Sequence, residues 1–236
     1  MVLISHRYGF IYTKTGKTAG TSVESFFERF CMPEGAWQQL HGRDEHVSVE
    51  GIIGARRTKE RTPPGTTWWN HMPAEQIREL IGHDIWDSYF KFCVIRNPFE
   101  RCISAFCHLG RDYQAPRRPV LTHALSRLRG ERPNFEQRRF ISYLENAMPV
   151  DRHVYMIDGN FCMDDVIRYE KLEADIERIC QRIGVEYDVR FLPTFKSGIR
   201  SKRSTVDALY TEESRELVER AFAFELQHFG YRFPAG

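Results

Sequence analysis

The sequence predicts an α/β fold, and three segments carry that prediction. Residues 8–13 (Tyr8-Gly9-Phe10-Ile11-Tyr12-Thr13) read as a short buried strand. A polar, glycine-containing turn over 14–20 follows. Val23, Phe26, Phe27 and Phe30 then fall at helical spacing. Phe90 to Ile95 is a second apolar strand, stopped by Asn97-Pro98, and a helix runs on to about Leu109. Asp165 to Tyr169 is a third strand. Leu172 to Ile183 is an amphipathic helix with Gly184 as its stop. Strand, tight turn, helix is the opening of a nucleotide-binding α/β domain.

The remaining stretches are less regular. Residues 32–70 are rich in Gly, Pro, His and charge and read as a long surface excursion, which in a compact domain is usually functional. Met72-Pro73-Ala74-Glu75 opens a helix with Ile77, Leu80 and Ile81 on one face. Residues 113–133 are rich in Pro and Arg. Asn134 caps a helix through Glu145. Residues 196–205 form a basic loop. Thr211 caps a last helix, ending near Gly230; Ser214 stands where a capping box needs Glu or Gln, so the full box is expected to be missing.

With 236 residues and 42% hydrophobic content, the chain suits one globular domain. A formal net charge of +2 gives no general argument for nucleic acid. Two basic runs, Arg56-Arg57 with Lys59 and Arg61, and Arg200 with Lys202 and Arg203, are solvated loops or anion sites. The six cysteines form no CxxC pair and no zinc spacing, so they are expected to be reduced thiols in a reducing compartment. No segment reads as a signal peptide or transmembrane span, and the expected location is cytoplasmic.

Two constellations carry chemistry. The first is Gly16-Lys17-Thr18-Ala19-Gly20-Thr21-Ser22, placed between a strand and a helix. Backbone N–H groups at a helix start attract phosphate or sulfate, glycines let the backbone come close, Thr21 and Ser22 offer hydroxyls, and Lys17 adds charge. The NTPase phosphate-loop pattern fits only in part, because Ile11 occupies the place of its first glycine. A plain β–α turn with a surface lysine is the other reading. The second constellation is Arg96-Asn97-Pro98-Phe99-Glu100-Arg101 followed by Ser104. Arg96 stands at the carboxyl end of a strand, where open α/β sheets bind ligands. Arg101 and Ser104, three apart, are expected to share a helix face. Alternatively, Arg96 simply pairs with a nearby carboxylate.

Taken together, Lys17-Thr18-Ala19-Gly20-Thr21-Ser22 resembles the 5′-phosphosulfate loop of PAPS-dependent sulfotransferases, where PAPS is 3′-phosphoadenosine 5′-phosphosulfate. Arg96-Asn97-Pro98-Phe99-Glu100-Arg101 with Ser104 resembles their 3′-phosphate motif. The carbohydrate-type branch that includes heparan sulfate 2-O-sulfotransferase is the most similar. Weaker likeness extends through His71-Met72-Pro73-Ala74, Arg168-Tyr169-Glu170-Lys171-Leu172 and Phe229-Gly230-Tyr231. The resemblance implies a single sulfotransferase domain over 1–236, with acceptor-shaping insertions around 32–70 and 113–155. Its implied fold is a three-layer α/β/α arrangement with a central parallel sheet, akin to nucleotide kinases. It places residues 16–22 on the phosphosulfate and Arg96 with Ser104 on the 3′-phosphate. Lys196, Ser197 and Arg200 are the candidates for a basic loop closing over the nucleotide. The chain departs from the pattern twice: Gly16 stands where the family usually has Pro, and His153-Val154-Tyr155 replaces a different acceptor-side motif.

The implied reaction moves a sulfuryl group from PAPS to a hydroxyl of a saccharide, lipid headgroup or small metabolite. No metal and no nucleic acid are expected to take part. Lys17 would stabilise the leaving oxygen, and a histidine would take the acceptor's proton. His71 is the first choice, because the family's base lies in a comparable stretch, and His46 is second. Trp68, Trp69 and Tyr155 could form a stacking face, with at least one Trp in the core. The rival readings are an ATP-using kinase or NTPase, which needs a strand-end acid for Mg²⁺, and a nucleotide-binding protein without turnover.

Overall fold

The computed structural model describes residues 1–56, 63–109, 133–193 and 205–234. Their strands are β1 (Leu3–Ser5), β2 (Phe10–Thr13), β3 (His46–Val47), β4 (Gly51–Ile53), β5 (Phe90–Ile95), β6 (Met156–Ile157), β7 (Asn160–Phe161) and β8 (Asp165–Arg168). Their α-helices are α1 (Gly20–Phe27), α2 (Ala74–Ile81), α3 (His83–Ser88), α4 (Pro98–Leu109), α5 (Phe135–Ala147), α6 (Leu172–Ile183), α7 (Val206–Leu209), α8 (Glu212–Ala221) and α9 (Ala223–Phe229). The chain divides into two compact units, Met1–Ile95 with Asp151–Phe195, and Arg96–Val150 with Lys196–Gly236.

The first unit is built on a six-stranded sheet in the order β3-β4-β1-β2-β5-β8. Strands β2, β5 and β8 are parallel, and the other three pair antiparallel. The sheet is therefore mixed, and the expectation of a parallel sheet holds for one half only. Connection length decides this: β1 to β2 and β3 to β4 are joined by turns too short for a crossover, which forces antiparallel pairing. β1 and the β3–β4 hairpin were not anticipated, and the hairpin draws part of the supposed 32–70 excursion into the sheet. Gly51 permits its close approach, since a Cβ there would run into the Ile4 carbonyl oxygen.

Alternation places Leu3, Phe10, Tyr12, Phe92, Val94 and Ile167 on one sheet face. There they pack with Val23, Phe26 and Phe27 of α1 and Ile176 and Ile179 of α6. α6 ends as expected, with Gly184 left-handed at φ 71°. On α2, Ile77 is buried but Leu80 is exposed, so the inward face is narrower than the spacing implied. β6 and β7 form a hairpin across Asp158 (φ 51°) and Gly159 (φ 76°). Two consecutive left-handed residues, with an Asp-Gly sequence, are the signature of a tight hairpin turn.

The second unit is helical. Phe99, Cys102 and Phe106 of α4 pack with Phe140, Tyr143 and Leu144 of α5 and with Leu209, Tyr210, Val218 and Phe222. Tyr210 sits edge-on to Phe140 and donates its hydroxyl to the Phe99 carbonyl at 3.0 Å. Asn134 caps α5 with a complete box through Gln137. The box at α8 also closes: Thr211 N–H donates to the Ser214 hydroxyl at 2.8 Å, so serine does what Glu or Gln was expected to do. The last helix is two helices. Phe222 leaves helical geometry (φ −110°, ψ 26°) with its ring buried in the core.

Candidate active site

The turn between β2 and α1 is held in a strained shape by its neighbours. Lys17 (φ 63°) and Ala19 (φ 59°) are left-handed. The expected glycines, Gly16 and Gly20, are not. Such non-glycine backbone costs about 1–3 kcal/mol per residue and persists only when the surroundings enforce it. Here they do. The Thr15 hydroxyl donates to the Val94 carbonyl of β5 and lies 2.8 Å from the Thr18 hydroxyl. Gly16 N–H donates to Asp151 Oδ2 at 2.7 Å. Gly20 makes room instead, since a Cβ there would sit 3.0 Å from Lys14 Cγ and Cε.

α1 starts from Ala19 with no side-chain cap. Its first-turn amides are the partial positive charges that bind anions, and a side-chain cap would compete for them. Thr18 is fully buried with its hydroxyl turned into the loop, so it contributes backbone rather than hydroxyl; Thr21 is half-buried, and Lys17 is partly exposed beside it. Ser22 is buried and its N–H donates to the Ala19 carbonyl at 2.9 Å.

Beneath the loop lies an ion cluster that sequence reading missed. Lys14 Nζ contacts Glu24 Oε2 at 2.7 Å and Thr21 Oγ1 at 3.5 Å. Arg56 reaches Glu28 at 2.8 Å and the Thr21 carbonyl at 3.4 Å, and Arg43 and Trp37 also bond Glu28. Both glutamates are fully buried. Burial works to raise the Glu24 carboxyl, but Lys14, the Met1 amino group and Arg56 outweigh it and hold it below the ordinary value. At Glu28 burial prevails over Arg56 and Arg43, and its carboxyl is raised. Arg56 thus turns inward; the rest of its basic run, 57–62, lies outside the described residues. The missed signal was spacing: Glu24 on α1 and Glu28 just past its end are four apart among Val23, Phe26 and Phe27, a buried carboxylate pair that needs cations.

His71 is brought to this loop. Its Nδ1 lies 3.0 Å from the Lys14 carbonyl oxygen. A carbonyl can only accept, so Nδ1 carries the hydrogen and Nε2 keeps a lone pair. Burial, then the Met1 amino group and Lys14, lower its pKa to about 4. The imidazole is neutral at pH 7, as a base requires. Because the unfolded chain binds this proton first, His71 lowers stability as pH falls from about 6.5 to 4. An NMR titration of the ligand-free protein should put the His71 midpoint near 4; a midpoint near 6.5 contradicts this environment.

The alternatives fare less well. His46 lies on β3, three strands from β2, so about 14 Å away laterally. Trp68 and Tyr155 are buried in the core, leaving only Trp69, at 36% exposure, to meet a ligand.

In the second unit, Arg96 follows β5 directly and its Nη2 lies 3.5 Å from Glu100 Oε2. Asn97 accepts the Phe99 N–H at 3.0 Å and opens α4, which explains an asparagine there. Glu100, Ser104, Cys107 and His108 form the open stripe of α4, while Arg101 is buried against the Phe222 ring. Ser104 therefore shares its face with Glu100, not with Arg101 as its spacing suggested. Lys196, Ser197 and Arg200 lie outside the described residues. None of the six cysteines forms a disulfide, and four are buried. Among the described residues, no three His, Cys, Asp or Glu side chains are grouped for a metal, and no helix is long and apolar enough to cross a membrane.

The profile of the Sulfotransferase family matches residues 1–232. The chain belongs to that family. This sulfotransferase-family chain is 27% identical to carbohydrate sulfotransferase 14 of Danio rerio over 188 residues, which cover 69% of it and 48% of that protein. It is 29% identical to carbohydrate sulfotransferase 10 of Xenopus laevis over 180 residues, covering 64% and 50%. An uncharacterized protein of Archaeoglobus fulgidus is 28% identical over 124 residues, covering 50% of this chain and 89% of that one. The family member spans about half the length of the two carbohydrate sulfotransferases. No solved structure matches it.

Proposed function

We propose that the chain transfers a sulfuryl group from PAPS to a hydroxyl of a carbohydrate or other hydroxylated acceptor, releasing PAP (adenosine 3′,5′-bisphosphate). The observation that supports this reading is His71 held on the Lys14 carbonyl of the β2–α1 loop, which puts a neutral imidazole on the loop that leads into an uncapped helix start. PAPS would supply the activated sulfuryl group. In the loop, the amides between Gly16 and Ser22 are offered to the phosphosulfate, the Gly16 and Ser22 N–H groups being taken by Asp151 and the Ala19 carbonyl, and Lys17 offsets negative charge on the departing phosphate oxygen. His71 Nε2 accepts the proton of the attacking hydroxyl as its oxygen bonds to sulfur. Arg96 and Ser104 read the 3′-phosphate, and Lys196, Ser197 and Arg200 close over the nucleotide. Trp69 is the aromatic group offered to an acceptor ring. We also propose the three-layer, nucleotide-kinase-like architecture and a cytoplasmic location, supported by six thiols without a disulfide. None of the proposed steps calls on a metal.

Competitive calorimetry separates this from ATP chemistry. The parent chain should bind PAP at least about tenfold better than ATP, and Arg96→Ala should weaken PAP by roughly 10–100-fold with ATP unchanged. Equal binding of PAP and ATP rules the assignment out. β5 leads into Arg96 and β8 ends on Arg168, so basic residues stand directly at strand ends where ATP chemistry favours an acid for Mg²⁺.

A further inference from the structure

We propose that Asp151 is a positioning residue that fixes the entrance of the β2–α1 loop through the backbone N–H of Gly16. The inference rests on the sulfotransferase reading for its purpose and on geometry for its substance. Gly16 opens a loop whose next residues include two in left-handed backbone. Glycine is the residue that restrains its own φ least, so a loop entered through glycine needs an external constraint. Asp151 supplies one. Its Oδ2 accepts the Gly16 N–H at 2.7 Å, its side chain is almost wholly buried, and it comes from 135 residues further along the chain. A charge-assisted bond of this length is among the stronger kinds.

Asp151 is itself anchored. It stands at the start of the Arg152–Val154 turn, with Val154 N–H donating to its carbonyl at 3.0 Å. That turn leads through buried Tyr155 into the β6–β7 hairpin. Shape thus passes from a packed turn to the loop amide, and from there to the Lys17 and Ala19 amides that the anion would meet. A carboxylate would be an odd group to touch an anionic ligand, because like charges repel. It makes sense as a clamp on the loop's first amide.

The claim separates cleanly from general stability, because proline can take over the restraint. Proline at position 16 fixes φ and has no N–H. A chain carrying Gly16→Pro should therefore no longer need the carboxylate. Five chains (the parent, Asp151→Ala, Asp151→Asn, Gly16→Pro and Asp151→Ala on Gly16→Pro) are compared by PAP calorimetry, after thermal unfolding has checked that each is folded. Asp151→Ala should weaken PAP binding about tenfold, the size of one charged hydrogen bond. Asp151→Asn keeps an acceptor oxygen without the charge and should lose clearly less PAP affinity than Asp151→Ala. Asp151→Ala added to Gly16→Pro should cost less than about twofold. An equal tenfold loss on both backgrounds overturns the proposal, since Asp151 would then act without the Gly16 amide. If Gly16→Pro does not fold, hydrogen exchange at the Gly16 amide decides: faster exchange in Asp151→Ala but not in Asp151→Asn supports the clamp, and unchanged exchange in both refutes it. The exchange readout needs no nucleotide, so a parent chain that fails to bind PAP would remove the sulfotransferase reading while leaving the clamp testable.

Discussion

Replacing His71 with alanine should lower sulfuryl transfer by about 10²–10⁴-fold, the usual contribution of a positioned general base. PAP affinity should survive. The reason is local: the ring meets the loop through a single bond from Nδ1–H to the Lys14 carbonyl, while the loop's shape is held by Thr15, Gly16 and Thr18 bonds that His71 does not join. Losing the ring therefore removes Nε2 without releasing the cradle. His71→Asn keeps a donor for the Lys14 carbonyl but offers no base, and should be as inactive as alanine. Transfer of labelled sulfuryl to a panel of hydroxylated acceptors, with PAP calorimetry in parallel, makes the measurement. Turnover that stays within threefold of the parent, by order of magnitude, would falsify the role of His71. The depressed pKa adds a condition. With protonation below about 4 in the ligand-free protein, the acid limb set by His71 should lie well under neutral pH, and bound anions would move it upward.

Removing the Glu24 carboxylate should cost about 3–5 kcal/mol of folding stability, the range for breaking a buried ion pair from one side. Glu24→Ala takes from buried Lys14 its carboxylate at 2.7 Å and leaves the Thr21 hydroxyl at 3.5 Å, while Arg56 keeps Glu28. For a chain of this size the expected fall in Tm is roughly 10 °C. Lys14→Met added to Glu24→Ala should recover part of it, because the stranded charge is removed as well. A fall of less than about 2 °C in Glu24→Ala would mean the cluster is better hydrated than its burial implies. The carboxyl is held below its ordinary value, so its contribution is present above pH 4.5 and fades as pH drops through the lowered folded-state value. Thermal unfolding at pH 7 and again at pH 4 should show the difference between Glu24→Ala and the parent shrinking.

These two expectations draw on different kinds of information. His71 is the first choice from the chain by its likeness to the family, ahead of His46, and the fold adds that its ring meets the β2–α1 loop. The Lys14–Glu24 cluster was not legible in the chain. Lys14 reads as the polar start of a turn, and only the fold shows Gly20 yielding space for its stem and α1 presenting a carboxylate to its end.

Periodicity and punctuation determined most elements. Phe90–Ile95, the helix after Asn97-Pro98, the Asn134 cap and the Gly184 stop all lie where apolar spacing and capping chemistry placed them, because those are local preferences expressed within a few residues. The strand-to-helix placement of 16–22 and 96–104 belongs here too, since both turns are written in contiguous residues. What tertiary structure alone decided is pairing at a distance. Residues 46–53 became strands only by finding β1, whose antiparallel partner β4 comes from far along the chain, and Arg101 left Ser104 for a buried ring. Asp151 met Gly16 across 135 residues by the same rule. Contacts of that separation depend on the sum of the packing, and no window of sequence contains it.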